Sequence, residues 1–170
     1  MRRHECTRRV GLPNADLCVG GPGFSLLEVV IVVAIIAILA AIGIPRMSRG
    51  AKGASDSALT GDLATLRNAI DLYAAEHGGA FPTAASVNTQ LTQYTDVNGG
   101  VNPAKTTTYI YGPYMRSIPP LPVGAKKGNT AIAAEDGNSV GWIYTATDGT
   151  IRANAVDAEV DEAGKKYNAY

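Results

Sequence analysis

The chain has 170 residues, 46% of them hydrophobic, and its 15 basic residues balance 15 acidic ones. That length suits one domain, or one domain with appendages. The ordinary apolar fraction argues against disorder or a fibrous repeat, and zero net charge gives no global basic field for nucleic acid.

Charge and cysteine are unevenly distributed. Residues 1–23 hold Arg2, Arg3, Arg8 and Arg9 against Glu5 and Asp16, which leaves residues 24–170 slightly acidic. Basic residues just ahead of an apolar run orient that end toward the cytoplasm. Both cysteines, Cys6 and Cys18, lie in this first stretch. If it is removed, what remains has no thiol for a disulfide, a metal site or a nucleophile. Cys18 precedes the apolar run, whereas a lipobox cysteine follows one.

From Phe24 to Ile44 the only polar residues are Ser25 and Glu28. As a helix rising about 1.5 Å per residue, this stretch spans about 30 Å, one hydrocarbon core. Its β-branched content does not make it a strand, since lipid requires each backbone group to be paired within the segment. It reads as a secretory signal cut near Ala40-Ala41-Ile42-Gly43, as a plain single-pass anchor, or as a prepilin-type signal cut before a retained helix.

Two details favour the last. Gly21, Pro22 and Gly23 resist helix, so a peptidase meets extended backbone at the membrane surface. Glu28 places a carboxylate in an apolar helix, which is costly in lipid. Cleavage after Gly23 would expose an amine on Phe24, charged near neutral pH. Glu28 of a neighbouring copy could neutralise that amine within an apolar filament core and set the stagger between copies. The bland alternative is a Glu28 that snorkels to the headgroups.

The run Gly23-Phe24-Ser25-Leu26-Leu27-Glu28, followed by uninterrupted apolar residues to Ile42, resembles the N-terminal motif of type IV pilins and type II secretion pseudopilins. The resemblance implies a leader at 1–23 removed by a prepilin peptidase, with Gly23 the cleavage residue, Phe24 the N-methylated residue and Glu28 the assembly glutamate. It implies a single-pass protein of the bacterial inner membrane with its C-terminal domain in the periplasm. Membrane lipid, an inner-membrane assembly platform, other pseudopilins and further copies in a homopolymer are the implied partners.

Residues 24–45 form the expected transmembrane and assembly helix, and Gly43 and Pro45 should kink or loosen it. Pro45 also sits where many members of that family have a helix-distorting proline. Beyond it, Met47, Ala51, Ala54, Ala58, Leu59, Leu63, Leu66, Ile70 and Tyr73 recur at three- and four-residue spacing and mark one apolar helix face. Gly50, Gly53 and Gly61 weaken this stretch by about 1 kcal/mol each. Gly78 and Gly79 end the helix, where His77 should meet last-turn carbonyls. A short helix is expected over 84–94, packing Val87, Leu91 and Tyr94, with loop over 95–109. Pro119, Pro120 and Pro122 exclude a central strand. Val140, Trp142, Tyr144 and Ala146 alternate with Gly141, Ile143 and Thr145, Asp148-Gly149 supplies a turn, and Ile151, Ala153 and Ala155 return. Residues 130–134 could add a third strand.

The expected class is therefore α+β: a long N-terminal helix, its first half membrane-spanning and its second amphipathic, packed on a small C-terminal antiparallel sheet. Residues 46–155 form the periplasmic pilin-like domain and 156–170 a charged, mobile tail. Tyr73 to Thr83, the Gly112-Pro113-Tyr114 connection with its following prolines, and Gly141 through Asn154 resemble major pseudopilins.

No phosphate-binding loop is present. His4 and His77, the two histidines, are too few for a His-based zinc site or a triad. No catalytic residue and no enzyme is expected. Major pseudopilins carry calcium in a C-terminal loop, and Asp148, Asp157, Glu159, Asp161 and Glu162 are hard oxygen ligands. The family's Asp- and Gly-rich loop with its closing tryptophan is missing, so these acids read first as solvated charge and only weakly as a calcium site. Lys126-Lys127 and Lys165-Lys166 are too short for a nucleic-acid track. The resemblance implies a subunit of a type II secretion pseudopilus, extracted from the membrane into a growing filament that drives protein export. A type IV pilin, major or minor, serving adhesion, motility or DNA uptake is the alternative, as is a membrane-anchored periplasmic domain that never polymerises.

Overall fold

The structure, a computed structural model, describes residues 24–170; the side chains of 43–49 lie outside the described residues. So do the expected leader, Gly23, the surroundings of Gly43 and the side chains of Pro45 and Met47. The chain divides into two compact units, Met1–Ile42 and Gly43–Tyr170.

One helix, α1 (Leu26–Glu76), contributes to both units. In the first unit every described side chain from Phe24 to Ile42 is exposed, save a half-buried Ala40. Phe24 and Leu26 are each 82% exposed. Among the described residues no helix is long and apolar enough to cross a membrane. The apolar part with described side chains, Leu26 to Ile42, rises about 26 Å, and the sequence continues it through Gly43 and Ile44.

In the second unit α1 buries Leu59, Leu63, Leu66, Ala69, Ile70 and Tyr73. Their spacing is the helical face read from the sequence. That face begins at Leu59, because Ala51, Ala54 and Ala58 are exposed. The C-terminus closes as anticipated: Gly78 and Gly79 have φ of 66° and 90°, and the Gly79 N–H returns to Ala74 O at 2.8 Å, a left-handed cap.

A short helix, α2 (Val87–Thr92), buries Val87 and Leu91. It is shorter than the expected 84–94, because Tyr94 turns into a strand. β1 (Tyr94–Thr95) pairs antiparallel with β2 (Val101–Asn102), a small ribbon inside the stretch expected to be loop. Its turn requires Gly99. At φ 79° a side chain there would come within 2.5 Å of the Tyr73 hydroxyl.

The main sheet has three strands, β3 (Ala131–Ala133), β4 (Val140–Thr145) and β5 (Thr150–Ala153), in the order β3-β4-β5. The β4–β5 hairpin is the one expected, with Trp142 opposite Ala153 and Thr145 opposite Thr150. The third strand exists but pairs parallel to β4, with an irregularity between Ala131 and Ile132, so the sheet is mixed. Parallel neighbours usually need a long crossover; here residues 134–139 make the return. Asp136 holds that return, pairing with Lys126 and accepting from Asn154 Nδ2 at 2.9 Å. Asn154 Nδ2 also donates to Val140 O at 2.8 Å.

Trp142, Tyr144, Ile151 and Ala153 join Leu59, Leu63, Leu66 and Ile70 in one core. Buried aromatic polar atoms find partners: Trp142 Nε1 donates to Pro119 O and Tyr144 Oη to Pro82 O, both at 2.9 Å, as such groups generally must.

Residues 156–170, expected to be mobile, are tied down. Val160 and Lys166 form a bridge, Tyr167–Ala169 makes a single 3-10 turn, and Tyr167 is only 5% exposed within the core. The charged composition hid the two tyrosines that anchor the segment.

Candidate processing and assembly site

Phe24 precedes α1, and its Ser25 O accepts the Val29 N–H at 3.2 Å. Glu28 falls in the first turn, where a negative side chain favours the helix dipole. Phe24, Glu28, Val29, Val32 and Val33 line one shallow groove of about 290 Å³. Four-residue spacing places Glu28 and Val32 on the same helix side. Glu28 is exposed, so its carboxylate is free to meet a group from outside the chain. Apart from Ser25, the described side chains around it from Phe24 to Ile42 are apolar, an arrangement that marks an interaction surface.

The acids read first as solvated charge and only weakly as calcium ligands make the following bonds. Asp148 accepts from Thr150 N at 3.0 Å and Thr150 Oγ1 at 2.8 Å, bonds that hold its carboxyl below the usual range. Asp157 accepts from Lys166 Nζ at 2.7 Å and Asn168 Nδ2 at 2.8 Å; the lysine bond is the main cause of its lowered pKa. Glu159 accepts from Ala125 N at 2.5 Å and Val156 N at 3.0 Å. Asp161 accepts from the Tyr170 hydroxyl and from Ala163 N and Lys165 N at 2.8 Å, and the Tyr170 bond lowers its pKa most. The Glu162 N–H donates to Asp56 Oδ2 at 3.3 Å. Among the described residues no three acidic, histidine or cysteine side chains are placed to hold a metal. The Asp148, Asp157, Glu159 and Asp161 carboxylates accept from loop N–H groups and side-chain donors.

At the other end of α1, His77 does meet the last-turn carbonyl. Nδ1 lies 2.8 Å from Tyr73 O and Nε2 lies 2.9 Å from Asp96 O. The ring stacks on Tyr73 at 3.9 Å. Tyr114 donates to Glu76 at 2.7 Å; burial first, then this bond, pushes its phenol well up.

Sequence reading missed the clasp between tail and helix. Tyr167 donates to Asp56 at 2.8 Å, and Arg67 donates to Tyr170 O at 2.8 Å. The signal was present as two aromatics spaced by three in an otherwise charged stretch.

Residues 22–44 match the family described as the prokaryotic N-terminal methylation motif. This is the prepilin-type signal of type IV pilin-like proteins, and the chain carries it with an exposed Phe24 just ahead of α1 and an exposed Glu28 in its first turn. Such a signal belongs to membrane-anchored proteins that are processed by prepilin peptidase and polymerise in pilus-like fashion. No curated protein and no solved structure matches the chain.

Proposed function

We propose that this chain is a structural subunit of a type II secretion pseudopilus. The observation that carries the reading is the matched motif on an apolar helix exposed from Phe24 to Ile42. That surface needs lipid before assembly and other copies of the same helix after it. Lost lipid contacts are replaced by helix–helix packing of similar apolarity, while Glu28 takes the amine of a neighbouring Phe24. Prepilin peptidase cuts after Gly23 and methylates Phe24 in the inner membrane, and the domain of the second unit stands in the periplasm. An assembly platform and other pseudopilins extract the subunit, and filament growth pushes cargo outward. The work is mechanical, with no catalytic residue and no cofactor. Two features favour secretion over a type IV pilus: residues 24–170 contain no cysteine for a C-terminal disulfide, and the connection reads Gly112-Pro113-Tyr114.

The test is mass spectrometry of the mature N-terminus. N-methylated phenylalanine at position 24 is the expected result. An intact leader, or a cut near Ala41, would remove the reading.

A further inference from the structure

The apolar run ends at Ile44, and the charges that follow are first of one sign. Arg46, Arg49 and Lys52 all precede the next acid, Asp56. Basic residues ahead of an apolar segment orient it in a membrane, and Arg2, Arg3, Arg8 and Arg9 already stand there. A second basic cluster at the other end of the run has a different use. Lys52 lines a groove of about 270 Å³ with Ala51, Ser55, Val123, Lys127 and Tyr167. We infer that this groove docks the headgroup of an anionic phospholipid, with Lys52 and Lys127 holding the phosphodiester and the apolar wall receiving the glycerol end of the lipid.

The groove is built from both sides. α1 supplies Lys52. The 121–129 loop supplies Lys127 and is closed by its own bonds: Gly128 N donates to Leu121 O at 2.8 Å and Leu121 N to Asn129 O at 2.9 Å. Val123 and Tyr167, 4% and 5% exposed, make the apolar wall. Among the described residues the ion pairs are Lys126–Asp136 and Lys166–Asp157. That leaves Lys52 and Lys127, both exposed, without a carboxylate partner. Of the acids nearby, Asp56 accepts from the Tyr167 hydroxyl and from Glu162 N, and Glu159 from Ala125 N and Val156 N. The Glu162 carboxylate, beside Gly53, opposes an anion. The two lysines, with Arg46 and Arg49 adding charge in the sequence, outweigh it.

The position along the chain suits a headgroup. Ile44 and Lys52 belong to one helix, and the eight residues between them rise about 12 Å. The polar layer outside a hydrocarbon core is about 5–8 Å deep. Side chains on a helix lean toward its N-terminus, and a lysine stem lies along apolar surface while its ammonium reaches polar partners. Lys52 therefore reaches back toward the phosphates, and Lys127 closes on the same group across the groove.

The site rests on membrane anchoring alone, so an anchored chain that never polymerises leaves it standing. The full chain is placed in nanodiscs of phosphatidylcholine, with and without phosphatidylglycerol. Its lysines are acetylated under limiting conditions and the sites read by mass spectrometry, with the exposed Lys105 as reference. Relative to Lys105, Lys52 and Lys127 should react about fivefold more slowly in the anionic discs, and high salt should remove the difference. In Lys52→Gln the protection of Lys127 should fall; unchanged protection there overturns the shared site. Equal rates in the two kinds of disc overturn the proposal. So does inorganic phosphate that protects as well in neutral discs. Protection already present in neutral discs, growing with the number of copies per disc, would give the groove to another copy and overturn the lipid. A chain that does not stay with the discs removes the anchoring and the site together.

Discussion

Glu28 is one acid in an exposed apolar helix, and its meaning lies in its position. If it pairs with the Phe24 amine of another copy, Glu28→Ala should be processed normally yet assemble poorly. Sheared-filament yield against processed monomer measures this, and normal filaments from the variant would remove the pairing. Tyr144 offers a separate test in the core. Burial pushes its phenol up to about 12, above the ordinary 10 of an unfolded chain. A raised value means that the stabilisation is complete below about pH 10 and is lost as pH climbs through about 12. Phenolate absorbance and circular dichroism should therefore change together in that window. In Tyr144→Phe, which loses the bond to Pro82 O at a cost of about 1 kcal/mol, the alkaline loss should be smaller.

Among the elements, β3 illustrates what side chains do for a sheet margin. Asn88 on α2 donates to Ile132 O at 2.8 Å and accepts from Ile132 N at 3.0 Å, taking the place of a neighbouring strand. On the opposite margin Arg67 reaches Ile151 O at 3.4 Å. Asn88→Ala should cost about 1–3 kcal/mol through the orphaned backbone groups and expose a margin that recruits strands. Urea unfolding and light scattering would register the two effects. The β4–β5 hairpin and the face from Leu59 to Tyr73 were legible because their periods, two and three to four, are local properties of the chain. The direction of β3 was not. A link as short as 134–139 normally joins antiparallel strands, and the parallel return depends on Asp136 meeting Lys126 and Asn154 from elsewhere in the chain. The processing motif was legible for the same local reason as the hairpin. The hydrogen bonding of the acids read first as solvated charge was not, because it depends on where folded loops present their N–H groups.

On the scale of the whole molecule, the second unit closes over its core with its last residues. Tyr167 fills the core and bonds Asp56, while Arg67 holds Tyr170 O. Removal of residues 157–170 should destabilise this unit by about 2 kcal/mol or more, the scale of burying one large side chain. Thermal unfolding of the full chain in micelles, followed by tryptophan fluorescence of Trp142, would measure the loss. Tyr167→Phe should retain most of the stability, because it keeps the buried ring and gives up only the bond to Asp56.

The two stitched margins of the sheet carry a further consequence. A strand approaching β3 at Ile132 would find both backbone groups already engaged by Asn88, and one approaching β5 would meet the Arg67 guanidinium at Ile151 O; the sheet thus greets a newcomer with side chains at both of these points.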